Sequence, residues 1–569
     1  MTGSAAVPPS ARLLLALAAV AVAFAAADTY VVVLAMPELM ASARIPITEL
    51  QRAAPIISGF LLGYVAMLPL IGRVADLRGR VPVLVASLLV FAAGSLVTAM
   101  AYDLPSMVVG RFFQGVGGGG LVPATLALVA DLYPVERRGV PLGVVSAVQE
   151  LGSVLGPLFG AVVLALATWQ MIFVVNLVVG LVLAVAIRRL AGTRSAPSAR
   201  GRPDPLGLLA ALVALAAATT TMLRPAPLLR DLFWGQLFVP WAGDGRWLTP
   251  VGTLAVLAAL VLLVHSLLAR RPLVDLRAWY ATLREADLAG ALLLAVALGG
   301  VILAFATADP EVQVFSAQGP WFLLASAVAT VGFVVHLRRA ANPLLPHGAV
   351  SRVPAWGALL VSFFVGAALI AALIDIPIFA RTTTYRESQL LAALVLVRFL
   401  VALPVGAVVG GVLVRRLPAG AITAGGMAAS TVGFAFMARW GEDALESWTV
   451  NGTLLLCGFG FGLALAPVNA ALLASTADRV HGVAAALVVV ARMVGMLVGI
   501  SALTTVGLHR FHAARAAGLS STEAALAQEH AVFVGAAVCA VAAGVLALVL
   551  FRGAATRGLP AGELLRAAG

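Results

Sequence analysis

The sequence predicts an all-α polytopic membrane protein, and three observations carry that expectation. Of its 569 residues 62% are hydrophobic and 11% charged, with a mean hydropathy of +1.05. A soluble domain is nearer half apolar and a quarter charged. The apolar residues come in stretches of about 20 or more, the length at which a helix crosses the hydrocarbon and satisfies its own backbone. Charged residues gather in short segments between those stretches.

Taken in order, spans are expected near 11–36, 54–72, 81–101, 106–130, 139–166 and 169–190. The first is too long for the apolar core of a signal peptide and lacks a convincing cleavage site. The second ends at a charged, glycine-bounded turn, Gly72-Arg73-Val74-Ala75-Asp76-Leu77-Arg78-Gly79-Arg80. Four more spans follow near 205–223, 249–269, 287–307 and 319–337, then six near 354–381, 388–414, 419–439, 449–475, 482–508 and 529–552. That makes sixteen, with fourteen as the fallback, and both termini on one side.

Between the seventh and eighth spans, Pro225 to Leu248 holds Trp234, Trp241 and Trp247. Tryptophan favours the membrane interface, so this segment is expected to lie in the outer one. The stretch 309–318 alternates apolar and polar residues as a small hairpin does. The fifteenth span continues past His509 and Arg510 toward Gly518, and Ser520-Ser521-Thr522-Glu523 is a capping-box start for the sixteenth. The last two helices are therefore expected to project beyond the outer surface. His509, His512 and His530 read as a solvated face there.

All 37 basic residues are arginine, and the net charge is +12. They are spread over many short loops rather than one patch, which argues against nucleic acid. With the N-terminus inside, most fall on the cytoplasmic side, as the positive-inside rule requires. Both termini are therefore expected to be cytoplasmic, and the richness in alanine, arginine and glycine without lysine suggests a high-GC bacterium, and so a bacterial inner membrane. No phosphate-binding Gly-x-x-x-x-Gly-Lys loop and no metal-spaced His or Cys cluster occurs, and no nucleophile and base stand at workable spacing. An enzyme is not expected, and neither is any cofactor beyond a proton gradient. Cys457 and Cys539 lie in apolar spans and read as small hydrophobes.

The chain repeats itself. Gly115-Val116-Gly117-Gly118-Gly119-Gly120 leads to Asp131, Gly139 and Glu150; Gly458-Phe459-Gly460-Phe461-Gly462 leads to Asp478, Gly482 and Arg492. Asp28 and Asp375 sit mid-span in the first helix of each half, and Pro69 answers to Pro404. The expected organisation is a six-helix half over 1–191, a linker with four extra helices over 192–340 and a second half over 341–569. Parallel halves of this kind place a substrate path between them. Inside the linker, Arg270-Arg271-Pro272-Leu273 and Arg338-Arg339-Ala340-Ala341-Asn342-Pro343-Leu344 close successive helix pairs, which suggests a duplicated pair.

Six ionisable residues lie mid-span: Asp28, Glu150, Asp375, Arg111, Arg398 and Arg492. A charge in the hydrocarbon is costly, so it faces the interior and finds a partner. Asp28 with Arg492 is one expected pair, bridging the halves; Asp375 with Arg398 is another. A carboxylate neutralised alternately by a proton and by arginine shifts the balance between two conformations. Glu150 is placed to relay the proton or compete for the arginine. At the surface, Asp76 with Arg80, and Asp131 with Arg137 and Arg138, are expected to form a charge-relay clasp holding one conformation closed. The reading opposed to each of these is a static salt bridge or topology alone.

Several of these stretches resemble the major facilitator superfamily. Gly72, Asp76, Gly79 and Arg80 resemble its helix 2–3 loop, Gly-x-x-x-Asp-x-x-Gly-Arg. Arg111, Gln114, Gly115 and Gly117 resemble its helix 4 pattern, which the resemblance associates with proton coupling. Gly152, Gly156, Pro157 and Gly160 are similar to the helix 5 pattern Gly-x-x-x-Gly-Pro-x-x-Gly of its antiporters, and Trp169, Phe173 and Asn176 to the helix 6 run of the fourteen-helix drug:proton branch. Asp28-Thr29-Tyr30, Gln149-Glu150-Leu151-Gly152 and Ala491-Arg492-Met493-Val494-Gly495 look like the mycobacterial triacylglycerol exporters that work with a periplasmic lipid-carrying lipoprotein. That likeness implies Asp28, Glu150 and Arg492 as essential charges. It also implies proton-coupled export of a lipid or another hydrophobic molecule, with membrane lipids and such a lipoprotein as partners; a monomer is expected. The departure is the second linker pair, where the fourteen-helix branch has one. The rival readings are a multidrug:proton antiporter and a non-transporting scaffold of envelope assembly.

Overall fold

The computed structural model describes residues 9–45, 50–134, 137–192, 204–269, 272–306, 318–345, 348, 350–386, 388–477, 480–554 and 556. The N-terminal helices are α1 (Pro9–Ser42), α2 (Leu50–Arg78), α3 (Arg80–Ala99), α4 (Leu104–Leu132), α5 (Gly139–Leu166) and α6 (Gln170–Gly192). The linker holds α7 (Pro205–Leu223), the single turn α8 (Ala226–Arg230), α9 (Pro250–Leu268), α10 (Leu276–Glu285), α11 (Leu288–Ala306) and α12 (Gly319–Arg339). The second half is α13 (Val353–Thr382), α14 (Gln389–Leu413), α15 (Ala419–Met437), α16 (Thr449–Ala474), α17 (His481–Ala516) and α18 (Ser521–Leu550). Among the described residues fourteen helices are long and apolar enough to cross a membrane, fifteen if the pair α10–α11, bent by 72°, counts as one span. α5, 28 residues long, runs between the spanning helices α4 and α6 and completes the first half.

The Gly72–Arg80 segment corrects the sequence reading in one respect. It is no loop: α2 stays helical to Arg78 and α3 begins at Arg80. The turn is Gly79 alone, at φ 91°, where a side chain would be strained. A continuous helix sets Asp76 and Arg80 four residues apart, where they pair.

Each half uses the same packing. α1 lies on α5, α2 on α4, and α3 on α4 and α6; α13 lies on α17, α14 on α16, and α15 on α16 and α18. Glycines set the register, because each lets a neighbouring backbone approach where a Cβ would collide. Gly115 and Gly119 meet Phe60 and Tyr64; Gly458 and Gly462 meet Phe399 and Leu403. Gly152 and Gly156 meet Ala23 and Ala27; Gly495 and Gly499 meet Phe363 and Ala367. The superposed register therefore sets Leu454 opposite Arg111, Cys457 opposite Gln114 and Ala368 opposite Asp28. Asp375 corresponds to Ala35, about two helical turns away from Asp28's level. The apparent match of Asp28 with Asp375 is a coincidence of span, not of register.

The halves meet toward the end carrying Gly79, called here the basic end. Gly72 touches Gly482, and a Cβ on Gly72 would lie 2.6 Å from the Gly482 carbonyl oxygen; Gly139 and Gly411 touch in the same way across the other seam.

The linker forms two hairpins, α7–α9 and α11–α12, fastened alike at their basic ends. In the first, Asp204 caps α7 through Gly207 N (2.9 Å) and also takes His265 Nε2 (2.9 Å) and Leu273 N (2.8 Å). In the second, Asp287 takes Gly290 N (2.9 Å), His336 Nε2 (2.7 Å) and Leu344 N (2.9 Å). The hairpins differ in their seats. α11 packs on α2 and α17, and the amphipathic α10 lays Trp279 4.3 Å from the Arg78 guanidinium while Thr282 Oγ accepts from it at 3.2 Å. The first hairpin touches the N-terminal half through its connecting segment, where Arg246 stacks 3.9 Å from the Tyr102 ring. In that segment Trp241 is 71% exposed, as an interfacial residue should be. α17 has 36 residues, a length of about 54 Å against about 30 Å of hydrocarbon. The capping box of α18 is present: Ser520 N donates to Glu523 Oε2 (2.8 Å) and Glu523 N to Ser520 Oγ (3.2 Å). The stretch 309–317 of the expected small hairpin lies outside the described residues.

Candidate functional site

The centre of the N-terminal half is a polar nest in an apolar bundle. Asp28 on α1 is 1% exposed. Its Oδ2 accepts a hydrogen bond from Arg111 Nη1 at 2.5 Å, and its Oδ1 accepts from Asn176 Nδ2 (2.5 Å) and Gln114 Nε2 (3.4 Å). Arg111 reaches the Asp28 backbone oxygen at 3.4 Å and Gln114 Oε1 at 3.1 Å, and Gln114 donates to Ser95 Oγ at 2.9 Å. The guanidinium lies 4.3 Å from the Phe60 ring. Five helices thus hold one ion pair: α1, α3, α4 and α6 supply polar groups and α2 an aromatic face. Burying two charges is affordable when the geometry is good and the remaining lone pairs and protons are satisfied. Here only Arg111 Nε is left without a partner.

This corrects the expected Asp28–Arg492 bridge. Among the described residues Asp28 is bound by Arg111, Gln114 and Asn176, all from its own half. Arg111 is four residues before Gly115, whose contact with Phe60 draws α4 against α2 and brings the guanidinium over that ring. Arg492 instead lines a small cavity of the second half with Ser362, Val365, Leu465, Val468 and Asn469. Its side chain is 8% exposed. Asn469 reaches across to Ser146 Oγ on α5 at 3.5 Å, so this cavity adjoins the interface between the halves. Glu150 sits on α5, and its side chain lies outside the described set. On the same helix Gly152, Gly156 and Gly160 seat α5 on Ala23, Ala27 and Val31 of α1; the side chain of Pro157 is outside the described set.

Asp375 does not pair with Arg398. It is 6% exposed, and its carboxyl hydrogen-bonds the carboxyl of Glu529 on α18, itself 1% exposed. Arg398 stands half-buried on α14 and makes no ion pair among the described residues. Glu529 was missed because it falls at the edge of the last apolar stretch, where an acid reads as interfacial. His530 is not on a solvated face either: its Nε2 lies 2.7 Å from the Trp440 carbonyl oxygen.

At the basic end Asp76 works across the halves. Its side chain is 1% exposed and accepts from Gly482 N (2.9 Å) and Val483 N (3.1 Å), the first turn of α17. Arg80 pairs with Asp76 and bridges to Asp131 at 3.2 Å. The expected clasp of Asp131 with Arg137 and Arg138 is replaced by this one. Arg138 turns to the carbonyls of Ala130 (2.7 Å) and Tyr133 (2.9 Å), the free C-terminal oxygens of α4, and Arg137 is exposed. A helix end offers uncompensated carbonyls to a cation, and the arginine takes them.

Two pseudo-symmetric six-helix halves, a buried charge pair in one and a charged latch joining both at one end, are the build of a secondary transporter. The model of the Major Facilitator Superfamily matches residues 18–500, and the chain belongs to that superfamily. It is an integral membrane transporter. The chain is 35% identical over 503 residues to a triacylglyceride transporter of Mycolicibacterium hassiacum, covering 86% of this chain and 78% of that one. It is 33% identical over 516 residues to the triacylglyceride transporter of Mycobacterium tuberculosis strain H37Rv, covering 88% and 83%. In fold it is similar to the human organic anion transporter MFSD10, with a TM-score of 0.50 at 14% identity over 96% of this chain and 99% of that one.

Proposed function

We propose that this transporter exports a triacylglycerol-like lipid from the inner leaflet side of a bacterial plasma membrane, driven by protons. The observation that carries the coupling is the Asp28–Arg111 pair, wholly buried on two helices of one half and held by Gln114 and Asn176. Protonating Asp28 removes the partner of Arg111 and leaves a bare guanidinium among apolar helices. That cost is relieved only if α1 and α4 rearrange or the cation finds another acid. The switch therefore ties proton binding to conformation. Glu150 and Arg492 extend the route into the second half.

The lipid reading is supported by the triacylglyceride transporters the chain is related to and by spans made of alanine, leucine and valine. With the arginine-rich end cytoplasmic, this conformation is the one closed to the cytoplasm by the Asp76 latch. The two linker hairpins, fastened by the same Asp–His–Leu set, are read as a duplicated pair. A periplasmic lipoprotein is the partner that would receive the lipid above the extended α17 and α18.

The test is transport in proteoliposomes with a fluorescent triacylglycerol and a cationic dye. Movement of the lipid and not the dye supports the proposal. Movement of the dye alone makes the protein a multidrug antiporter, and movement of neither under a proton gradient sinks the transport reading for both substrates.

A further inference from the structure

The acid pair of the second half has no place in the Asp28 mechanism. Asp375 and Glu529 hydrogen-bond each other, and among the described residues neither carboxyl is paired with a cation. The charged and imidazole groups on the elements packed against them are Arg381 on α13, His530 and Glu523 on α18, Arg398 on α14, Arg439 beyond α15, and His481, Arg492, His509, Arg510, His512 and Arg515 on α17. His530 is bound to the Trp440 carbonyl and Arg439 to the Ala435 carbonyl. None of these is a hydrogen-bond or charge partner of Asp375 or Glu529.

Two carboxylates at hydrogen-bond distance have no donor between them. The bond exists only if one carries a proton, and like charges in a dry site enforce the same result. The second oxygen of Glu529, Oε2, is buried with no hydrogen-bond partner among the described residues. The comparison of the halves sharpens the point. Where the first half sets Arg111 and Gln114 around its acid, the second has Leu454 and Cys457, both fully buried, so no fixed cation is built in. Where the second half sets Asp375, the first has the apolar Ala35.

We propose that Asp375 and Glu529 form a proton-binding site of the C-terminal half, holding one proton between two carboxyls at neutral pH. A proton needs only the two carboxyls, and among the described residues no third His, Cys, Asp or Glu joins them to hold a metal ion. Phe379 and Phe533, each four residues on from one of the two acids, pack on either side of Trp440 with ring centroids 5.2 and 6.2 Å from it, and all three rings are buried. The use of this proton in transport rests on the coupled reading above; its presence does not.

The experiment is infrared spectroscopy of the purified full-length protein at neutral pH, in light and heavy water. The expected result is a deuterium-sensitive carboxylic-acid carbonyl band in the wild type, kept in Asp28→Asn and lost in the double variant Asp375→Asn/Glu529→Gln. The amides preserve a donor and an acceptor, and Glu529→Gln alone is a milder control in which the band must shift or vanish. An unchanged band in the double variant overturns the proposal. So does a wild-type band that disappears when sodium is added at constant pH, since the site would then be a metal site. Because the readout needs no substrate, a failure of lipid transport leaves it untouched.

Discussion

Replacing Asp76 by alanine should release the latch at the basic end, by an amount the structure sets. In this conformation the carboxylate caps α17 through Gly482 N and Val483 N and neutralises Arg80, while itself 1% exposed. Losing a cap costs about 0.5–2 kcal/mol, and losing a negative charge at a helix N-terminus about 0.3–1 kcal/mol. Both contributions exist only while α2 and α17 are together, so they act on the equilibrium between conformations rather than on the fold alone. A loss of about 1–3 kcal/mol corresponds to roughly a 5- to 150-fold shift toward the state open at this end. Spin labels at the exposed positions Arg137 and Arg416, one in each half, would report it by their distance distribution, with Cys457 and Cys539 replaced by alanine. The variant should populate a longer distance, and Asp76→Asn, which keeps an acceptor, should lie between. Distributions identical to the parent would show that the latch carries no conformational energy.

Further outcomes follow from the same contacts. Arg111→Leu should lower the melting temperature, since stranding one member of a buried pair costs about 3–5 kcal/mol; adding Asp28→Asn should restore much of the stability and none of the transport. Asn176→Ala removes a 2.5 Å donor to Asp28 and should shift the pH profile of transport while leaving the fold intact, which a transport titration would read. Gly156→Leu, facing the Ala27 backbone, should prevent α5 from seating on α1 and abolish folded protein on size-exclusion chromatography. In the linker, the Gly207 amide, ahead of His265 and Leu273, holds the Asp204 carboxyl below its ordinary range. A depressed folded value means that the clasp stabilises above the unfolded value and is lost as pH falls through the folded one. Hairpin loosening, followed by trypsin cleavage in Asp204→Asn against wild type, should therefore converge only in acid.

The fold was legible because the hydrocarbon demands it. Apolar stretches of spanning length leave the backbone no alternative to helix, and all the expected spans correspond to helices. α10 escaped because it is shorter than a span, although Asp275 as cap and Leu276, Trp279 and Leu283 at helical spacing were there to mark it. The charged residues were legible as a set and not as pairs. Spacing along a chain does not say which of two arginines an aspartate faces, and Asp28 chose Arg111 through the glycine contacts that bring α4 in. Asp375 was paired with Arg398 on the ground that opposite charges attract. The structure sets it against another acid, an arrangement whose missing term, a proton, no sequence displays. In the linker, the two short Arg-Arg stretches were visible, whereas the reason Leu273 and Leu344 recur is a backbone N–H hydrogen bond donated to Asp204 and Asp287 across the hairpin base.

The central claim is that Asp28 couples protons to movement of a lipid. It is tested most directly by proteoliposomes carrying wild type or Asp28→Asn, loaded with fluorescent triacylglycerol and given a pH gradient of either sign. The account predicts movement that follows the gradient in the wild type and reverts to the gradient-free rate in the variant. Equal, gradient-independent movement in both would contradict it.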